Sequence, residues 1–294
     1  CIDPDDWIDP NTCSIIDSML KTNDVDIIQY AVNLEYDLSL FDKGYIKGLQ
    51  IFFDRSNDVT EGNSEALIRS CFLTEDFLWH YWGKAIRMSV AKEAFAQMPD
   101  IKCNFAEDQV AMFYILSYAR NLINTEQRLY HYRLGSGIST KEKEALENFD
   151  IKLECFELFH QLTLFAKEHY PQNSEIVKKS LDFIFNSMMD NMWRRLIENA
   201  KQDDISEWIL HWCEKAGTDK VVGYLIKMTT LPDHNNLDRQ LENTSASSIE
   251  TFRNSQNKLQ RKNKKHLKVI RLLTILTAIL LLTNIITIIS FIIL

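Results

Sequence analysis

The chain has 294 residues, with 33 Lys and Arg against 41 Asp and Glu, a formal net charge of −8. That length allows one or two domains with an ample core, and a charged content of 25% is ordinary for a soluble body. The charge is unevenly placed: residues 251–271 carry eight basic residues and no acid, which leaves residues 1–250 at −16. So acidic a body excludes a nucleic-acid partner, because phosphate backbones need a basic face. The six cysteines are scattered, none in a C-x-x-C pair, and read as reduced thiols rather than a disulfide framework.

The chain opens with Cys1-Ile-Asp-Pro-Asp-Asp-Trp-Ile-Asp-Pro10. The carboxylates of Asp3, Asp5 and Asp6 repel one another, so a fold that gathers them calls for a cation between them. Oxygen ligands suit the hard ions Mg²⁺ and Mn²⁺ better than zinc, and such ions keep positions open for phosphate oxygens. Asp and Pro also build turns, so a solvated loop is the plainer reading of the string. A helical pattern follows (Ile15, Ile16, Met19, Leu20), then a β-rich run over 26–34. Lys43 and Gly44 read as a polar loop and Gly48–Phe53 as a second strand. Ser64 reads as the cap of a short helix through Phe72.

Phe77, Trp79, Tyr81 and Trp82 read as core aromatics, with Lys84 and Arg87 at the rim and a helix from Ser89 to about Met98. Lys84 is a candidate contact for an acceptor or a phosphate. Glu107 and Asp108 head a predicted amphipathic helix with Val110, Met112, Phe113 and Leu116. Acids in a first turn complement the helix dipole and need no further purpose. A strand from Leu129 to Arg133 then enters a Gly/Ser loop over 134–140. His131 and Arg133 alternate onto one face of it. An Arg, a His and the loop amides of Ser136–Ser139 are groups that clasp a diphosphate; an exposed strand edge with a turn is the plainer reading.

From Lys141 to Leu231 the pattern is helical throughout, with Trp208, Ile209, Trp212 and Cys213 in one stripe. Such a module suits either covering an acceptor or forming a homo-oligomer. Residues 232–268 read as a polar and then basic linker. Leu272–Leu294 is 23 residues without a charge, enough to cross about 30 Å of hydrocarbon as a helix. The basic run before it predicts a membrane anchor over 269–294 with the body in the cytoplasm.

Four strings, in order, carry a resemblance. They are Asp3-Pro-Asp5 followed by a helix and Asp26-Ile-Ile28, then Trp82-Gly-Lys84 with Ile86-Arg87, then Glu107-Asp108 at a helix head, then Tyr130-His-Tyr-Arg133 with the Gly/Ser loop. Over residues 1–140 the chain resembles family 2 nucleotide-sugar glycosyltransferases. The resemblance implies that residues 1–140 are the C-terminal part of a Rossmann-like GT-A domain, so the expected fold is α/β followed by the all-α extension and the transmembrane helix that the residues themselves predict. It implies that Asp3 and Asp5 hold Mn²⁺ or Mg²⁺ and that Asp3 and Asp6 meet the sugar donor, with His131 and Arg133 on its diphosphate. It implies Asp108 as general base and Glu107 on the acceptor side. The family's first strand–helix–strand units precede the D-x-D motif, so the resemblance also implies a fragment. The expected partners are a nucleotide-sugar donor, a glycan or lipid-linked acceptor, and the membrane. A non-catalytic, tail-anchored interaction protein is the alternative of a different class. A metal-dependent phosphohydrolase using Asp3 and Asp5 fits less well, because Trp7 stands in the wrong place for it.

Overall fold

A computed structural model describes residues 2–230, leaving aside 38, 40, 60, 61, 136–144 and 201–203. The predicted linker, basic run and apolar segment 269–294 lie outside the described residues, as does the Ser136–Ser139 loop. Among the described residues no helix is long and apolar enough to cross a membrane.

The fold is mixed α/β. Four strands form one sheet: β1 (Trp7–Ile8), β2 (Ile27–Glu35), β3 (Lys84–Ile86) and β4 (Leu122–Arg133). Their order is β1-β4-β2-β3, with β2 and β4 parallel in the middle and the short outer strands antiparallel to them. The two central strands fit their place, since Ile27, Ile28, Tyr30 and Val32 on β2 and Leu129 and Tyr130 on β4 are all buried. The β2–β4 register shifts around Ala31, which pairs with Arg128 although its neighbour Tyr30 pairs with Thr125. A bulge there kinks β4 and re-aims its second half.

Seven helices accompany the sheet as far as residue 169: α1 (Thr12–Thr22), α2 (Lys43–Phe53), α3 (Ser64–Phe72), α4 (Met88–Gln97), α5 (Glu107–Tyr118), α6 (Leu146–Leu153) and α7 (Cys155–His169). The predicted strand over 48–53 is the second half of α2, and Lys43 and Gly44 are its first turn. The Asp42 carboxylate accepts hydrogen bonds from the amides of Gly44 (2.8 Å) and Tyr45 (3.2 Å), which starts the helix. Ile46, Leu49 and Phe53 then recur at helical spacing toward the core. In α3 the cap is Asn63, whose side chain accepts from the Ala66 amide, rather than Ser64. Helix α5 is not amphipathic: every residue from Gln109 to Ser117 is buried. It is a central core helix, with the Tyr114 and Phe165 rings 4.4 Å apart and Phe72 against Phe113 at 6.1 Å.

The chain divides into two compact units, residues 1–191 and 192–294, and the division falls inside the long helix α8 (Glu175–Asn199). The described part of the second unit is the end of α8 with α9 (Ile205–Ala216) and α10 (Thr218–Thr230). Trp208 and Trp212 are buried in it, and Trp212 meets the Tyr224 ring edge-on at 5.9 Å. The stripe predicted over α9 is therefore core.

Candidate functional site

Ligands of open α/β sheets bind beyond the carboxyl ends of the parallel strands, and here those ends are Glu35 on β2 and Arg133 on β4. The acidic opening loop is tied to that end. The Asp6 carboxylate accepts from the Tyr130 hydroxyl (2.8 Å) and from the Arg133 amide (2.8 Å), using one oxygen for each. The same Tyr130 hydroxyl accepts from the Asp3 amide at 3.2 Å, and the Asp6 amide closes a turn onto the Asp3 carbonyl at 3.1 Å. Tyr130 is thus the post around which Asp3, Asp5 and Asp6 are wrapped. Burial, then Asp6 and Asp5, push the Asp3 carboxyl up. Asp6 is also pushed up, by burial first and by Asp5, against the opposing pull of its bonds to Arg133 and Tyr130.

On the other face of the same strand His131 and Arg133 come together, as the alternation predicts. His131 Nδ1 lies 2.8 Å from a Glu35 carboxylate oxygen. The His131 ring stacks on Trp7 at 5.0 Å, and the Arg133 guanidinium lies 5.2 Å from the centre of the same indole. Trp7 stays 38% exposed.

The helix α5 leads into the start of β4, so its first turn points back toward the carboxyl end of the sheet. Ala106, just before it, takes a left-handed conformation (φ 60°) that turns Glu107 and Asp108 into the helix. The Asp108 carboxyl is surrounded by protein although the residue keeps some exposed surface. That burial, with the Glu107 carboxylate and then Asp3, pushes it up to about 7. Burial and Asp3 likewise push Glu107 up. Two motifs about a hundred residues apart in sequence therefore lie within electrostatic reach of each other. The Tyr81 phenol stands among them, raised to about 12 by burial and by Glu107, Asp3 and Asp108.

Lys84 is not at the rim. It is 2% exposed, and its Nζ donates to the His80 carbonyl at 2.6 Å. Gly83 at φ 70° turns the chain tightly enough for this, and His80 Nδ1–H donates to the Trp82 carbonyl at 2.9 Å. The His80 ring lies flat on Trp82 at 3.7 Å, and Trp82 stacks on Tyr130 at 5.1 Å and Tyr132 at 4.9 Å. An aromatic stack thus joins the Lys84 turn to the post that holds the acidic loop. Arg87 is no free rim cation either, because it bonds Asp26 (2.8 Å) and Asp24 (2.6 Å).

A divalent ion fits this loop only in part from the protein. Asp6 has both oxygens in hydrogen bonds, to the Tyr130 hydroxyl and the Arg133 amide. Among the described residues no group of three His, Cys, Asp or Glu is placed to hold a metal alone. One or two carboxylates completed by substrate phosphates is the usual manner of Mg²⁺, and the raised Asp3 is a carboxylate that a cation would relieve. A cavity of about 550 Å³ lies elsewhere, lined by Ile16, Leu20, Asp26, Ile86, Arg87 and Met88, at the opposite end of the parallel strands.

Residues that sequence reasoning passed over include Tyr130, Tyr81 and Glu35. Tyr130 was signalled by the alternation itself, since it faces opposite His131. No local signal marks Tyr81 or Glu35.

No protein-family model matches the chain, and no curated protein matches it. Among solved structures it is similar to Staphylococcus aureus TarS 1–349 in complex with UDP-GlcNAc, with 13% identity and a TM-score of 0.46 over 86% of this chain and 67% of that one. It is similar also to a second structure of TarS 1–349, at 11% identity and a TM-score of 0.47, over 86% and 66%. The chain thus spans about two thirds of the length of these structures.

Proposed function

We propose that the chain is the site-bearing part of an inverting GT-A glycosyltransferase, moving a sugar from a nucleotide-sugar donor to a hydroxyl of a glycan or lipid-linked acceptor. The observation that carries this reading is the approach of the Asp3–Asp6 loop to Glu107 and Asp108 at the carboxyl end of the sheet. Inversion needs a base on one side of the anomeric carbon and a clasp for the leaving diphosphate on the other.

Asp108 is the base. It takes the proton of the acceptor hydroxyl as that oxygen attacks the anomeric carbon. A carboxyl near 7 is well matched, being basic enough to accept a proton yet substantially ionised at neutral pH. A positioned base of this kind supplies a factor of about 10²–10⁴. Glu107 orients the acceptor, and Tyr81 walls the same space. Asp3 and Asp5 would hold Mn²⁺ or Mg²⁺, which would supply positive charge to the departing diphosphate. His131 and Arg133, stacked against Trp7, bind the diphosphate from the β4 side. The apolar segment 269–294 anchors the chain in the membrane, near a membrane-bound acceptor.

The test uses the protein in membranes, with Mn²⁺ and a panel of UDP- and GDP-sugars. Nucleotide release should require the metal and fall at least about 100-fold in both Asp108→Asn and Asp5→Asn. Release that survives Asp108→Asn removes the base assignment. A folded protein that binds no donor moves the reading to the tail-anchored interaction protein.

A further inference from the structure

We propose that Glu35 is a positioning residue for the donor's diphosphate: its carboxylate turns the His131 imidazole so that Nε2 meets a phosphate oxygen. This rests on the reading of His131 and Arg133 as donor contacts. Glu35 ends β2 in register with Arg133, and Asn33 pairs with His131. Strand alternation therefore puts Glu35, His131 and Arg133 on one face of the sheet, and Trp7, in register with His131, joins them from β1. Two contacts hold the imidazole. Trp7 lies flat on it, with 5.0 Å between ring centres and 11° between planes. A stack fixes the plane of a ring but not its edges, because a half-turn keeps the stack and exchanges Nδ1 for Cδ2. The edge is settled by Glu35, whose carboxylate oxygen lies 2.8 Å from Nδ1. Among the described residues the other nitrogen, Nε2, has no hydrogen-bond partner, and the side chain keeps 19% of its surface exposed.

A carboxylate only accepts hydrogen bonds, so the proton between Glu35 and Nδ1 belongs to the ring. A phosphate oxygen at Nε2 also accepts. The ring that binds the diphosphate thus carries a proton on each nitrogen and is an imidazolium between two anions. Its charge adds to that of the Arg133 guanidinium, 5.2 Å from the centre of the same indole, while the Arg133 amide holds Asp6. Hydrogen bonds assisted by charge in this way are roughly twice as strong as neutral ones. Bare Coulomb repulsion makes the opposite forecast for Glu35. A carboxylate beside a diphosphate site repels the ligand, so neutralising it would tighten binding. A carboxylate that aims the ring and answers its charge weakens binding when it is lost.

The experiment measures binding of inorganic pyrophosphate with Mg²⁺ to the 294-residue chain by calorimetry, without sugar, acceptor or turnover. Glu35→Gln, nearly identical in shape, should weaken that binding about tenfold. In a His131→Gln background the same change should no longer weaken it, whereas a merely structural glutamate would cost the same in both backgrounds. Ring ¹⁵N NMR of the histidine-labelled chain reads the orientation directly, with His131 assigned by its loss in His131→Gln. Without pyrophosphate the neutral ring should carry its proton on Nδ1, and with pyrophosphate both nitrogens should be protonated. Unchanged or tighter binding in Glu35→Gln overturns the proposal, as does a neutral ring protonated on Nε2 or a complex in which Nε2 has no proton. If Glu35→Gln does not fold, the ring nitrogens of the unaltered chain decide alone. A folded, unaltered chain that binds no pyrophosphate overturns instead the donor-site reading beneath the proposal.

Discussion

The two ends of the β2–β4 pair treat aspartate in opposite ways. At the amino end Asp26 is 2% exposed, and burial alone would raise its carboxyl. Arg120 and Arg87 overcome that and hold it below the usual carboxylate range. Arg87 Nε donates at 2.8 Å, and the Arg120 amide and guanidinium donate at 2.9 and 3.2 Å. At the carboxyl end Asp3, Asp6 and Asp108 are all raised, by burial and by neighbouring acids. A cavity of about 550 Å³ lies at the first end and the reactive groups lie at the second. A cavity by itself is thus a poor guide here, because the satisfied charges around Asp26 have no protonation work left in them. Carboxylates left short of cations are the ones poised to take a proton or an ion.

The sharpest way to break this contrast is to neutralise one aspartate at each end and follow stability against pH. Asp26 has a depressed folded pKa, so its contribution is present above the unfolded value near 4 and is lost as pH falls below it. Asp26→Asn should therefore cost about 2 kcal/mol at pH 7, discounted because Arg120 is largely and Arg87 partly exposed. The loss should fade in acid. Asp108 has a raised folded pKa, so the stability it offers is present in acid and is lost as pH rises through about 7. Asp108→Asn should stabilise the fold by about 4 kcal/mol at pH 8 and by almost nothing below pH 4. Urea unfolding at pH 4, 7 and 8 checks both. Parallel pH profiles for the two variants would erase the distinction between the ends.

A smaller effect is expected at Tyr130, which is fully buried yet serves the loop through its hydroxyl. Tyr130→Phe keeps the ring stack with Trp82 and strips the Asp3 amide and Asp6 carboxylate of a partner. Stability should fall by about 1–2 kcal/mol. The donor KM should rise about tenfold, the effect of roughly 1.4 kcal/mol on binding, with kcat little changed. A drop in kcat at constant KM would place the effect at the base end instead.

The legibility of the chain follows the same division. The opening acids and Glu107-Asp108 are visible as strings because their chemistry is local to the sequence. That they face each other is a property of the α5–β4 connection, which no short window contains. Lys84 misled for a related reason. A lysine at the end of an aromatic run reads as a stem that snorkels to water, and only the Gly83 turn delivers its amine to the His80 carbonyl instead. In α2 the run Gly48–Phe53 reads as a strand, although Ile46, Leu49 and Phe53 carry helical spacing and the Asp42 carboxylate caps the first turn. The Asp26 cluster could not be read at all, since its arginines come from 61 and 94 residues away.

The smallest predicted effect tests whether the carboxyl end stores backbone strain as well as charge. Ala106 has φ 60° and ψ 8°, a left-handed conformation that disfavours any side chain with a Cβ by about 1–2 kcal/mol. Glycine removes that cost but gives the unfolded chain more freedom to lose. Ala106→Gly should therefore stabilise the protein by only about 0.5–1 kcal/mol, while Ala106→Val, branched at Cβ, should destabilise it by more than that. The gain from glycine should come with looser placement of Glu107 and Asp108, seen as a modest fall in kcat rather than a change in donor KM. If Ala106→Gly instead lowers the unfolding midpoint, the turn is not strained. The head of α5 would then differ from the Asp26 end in its charges alone.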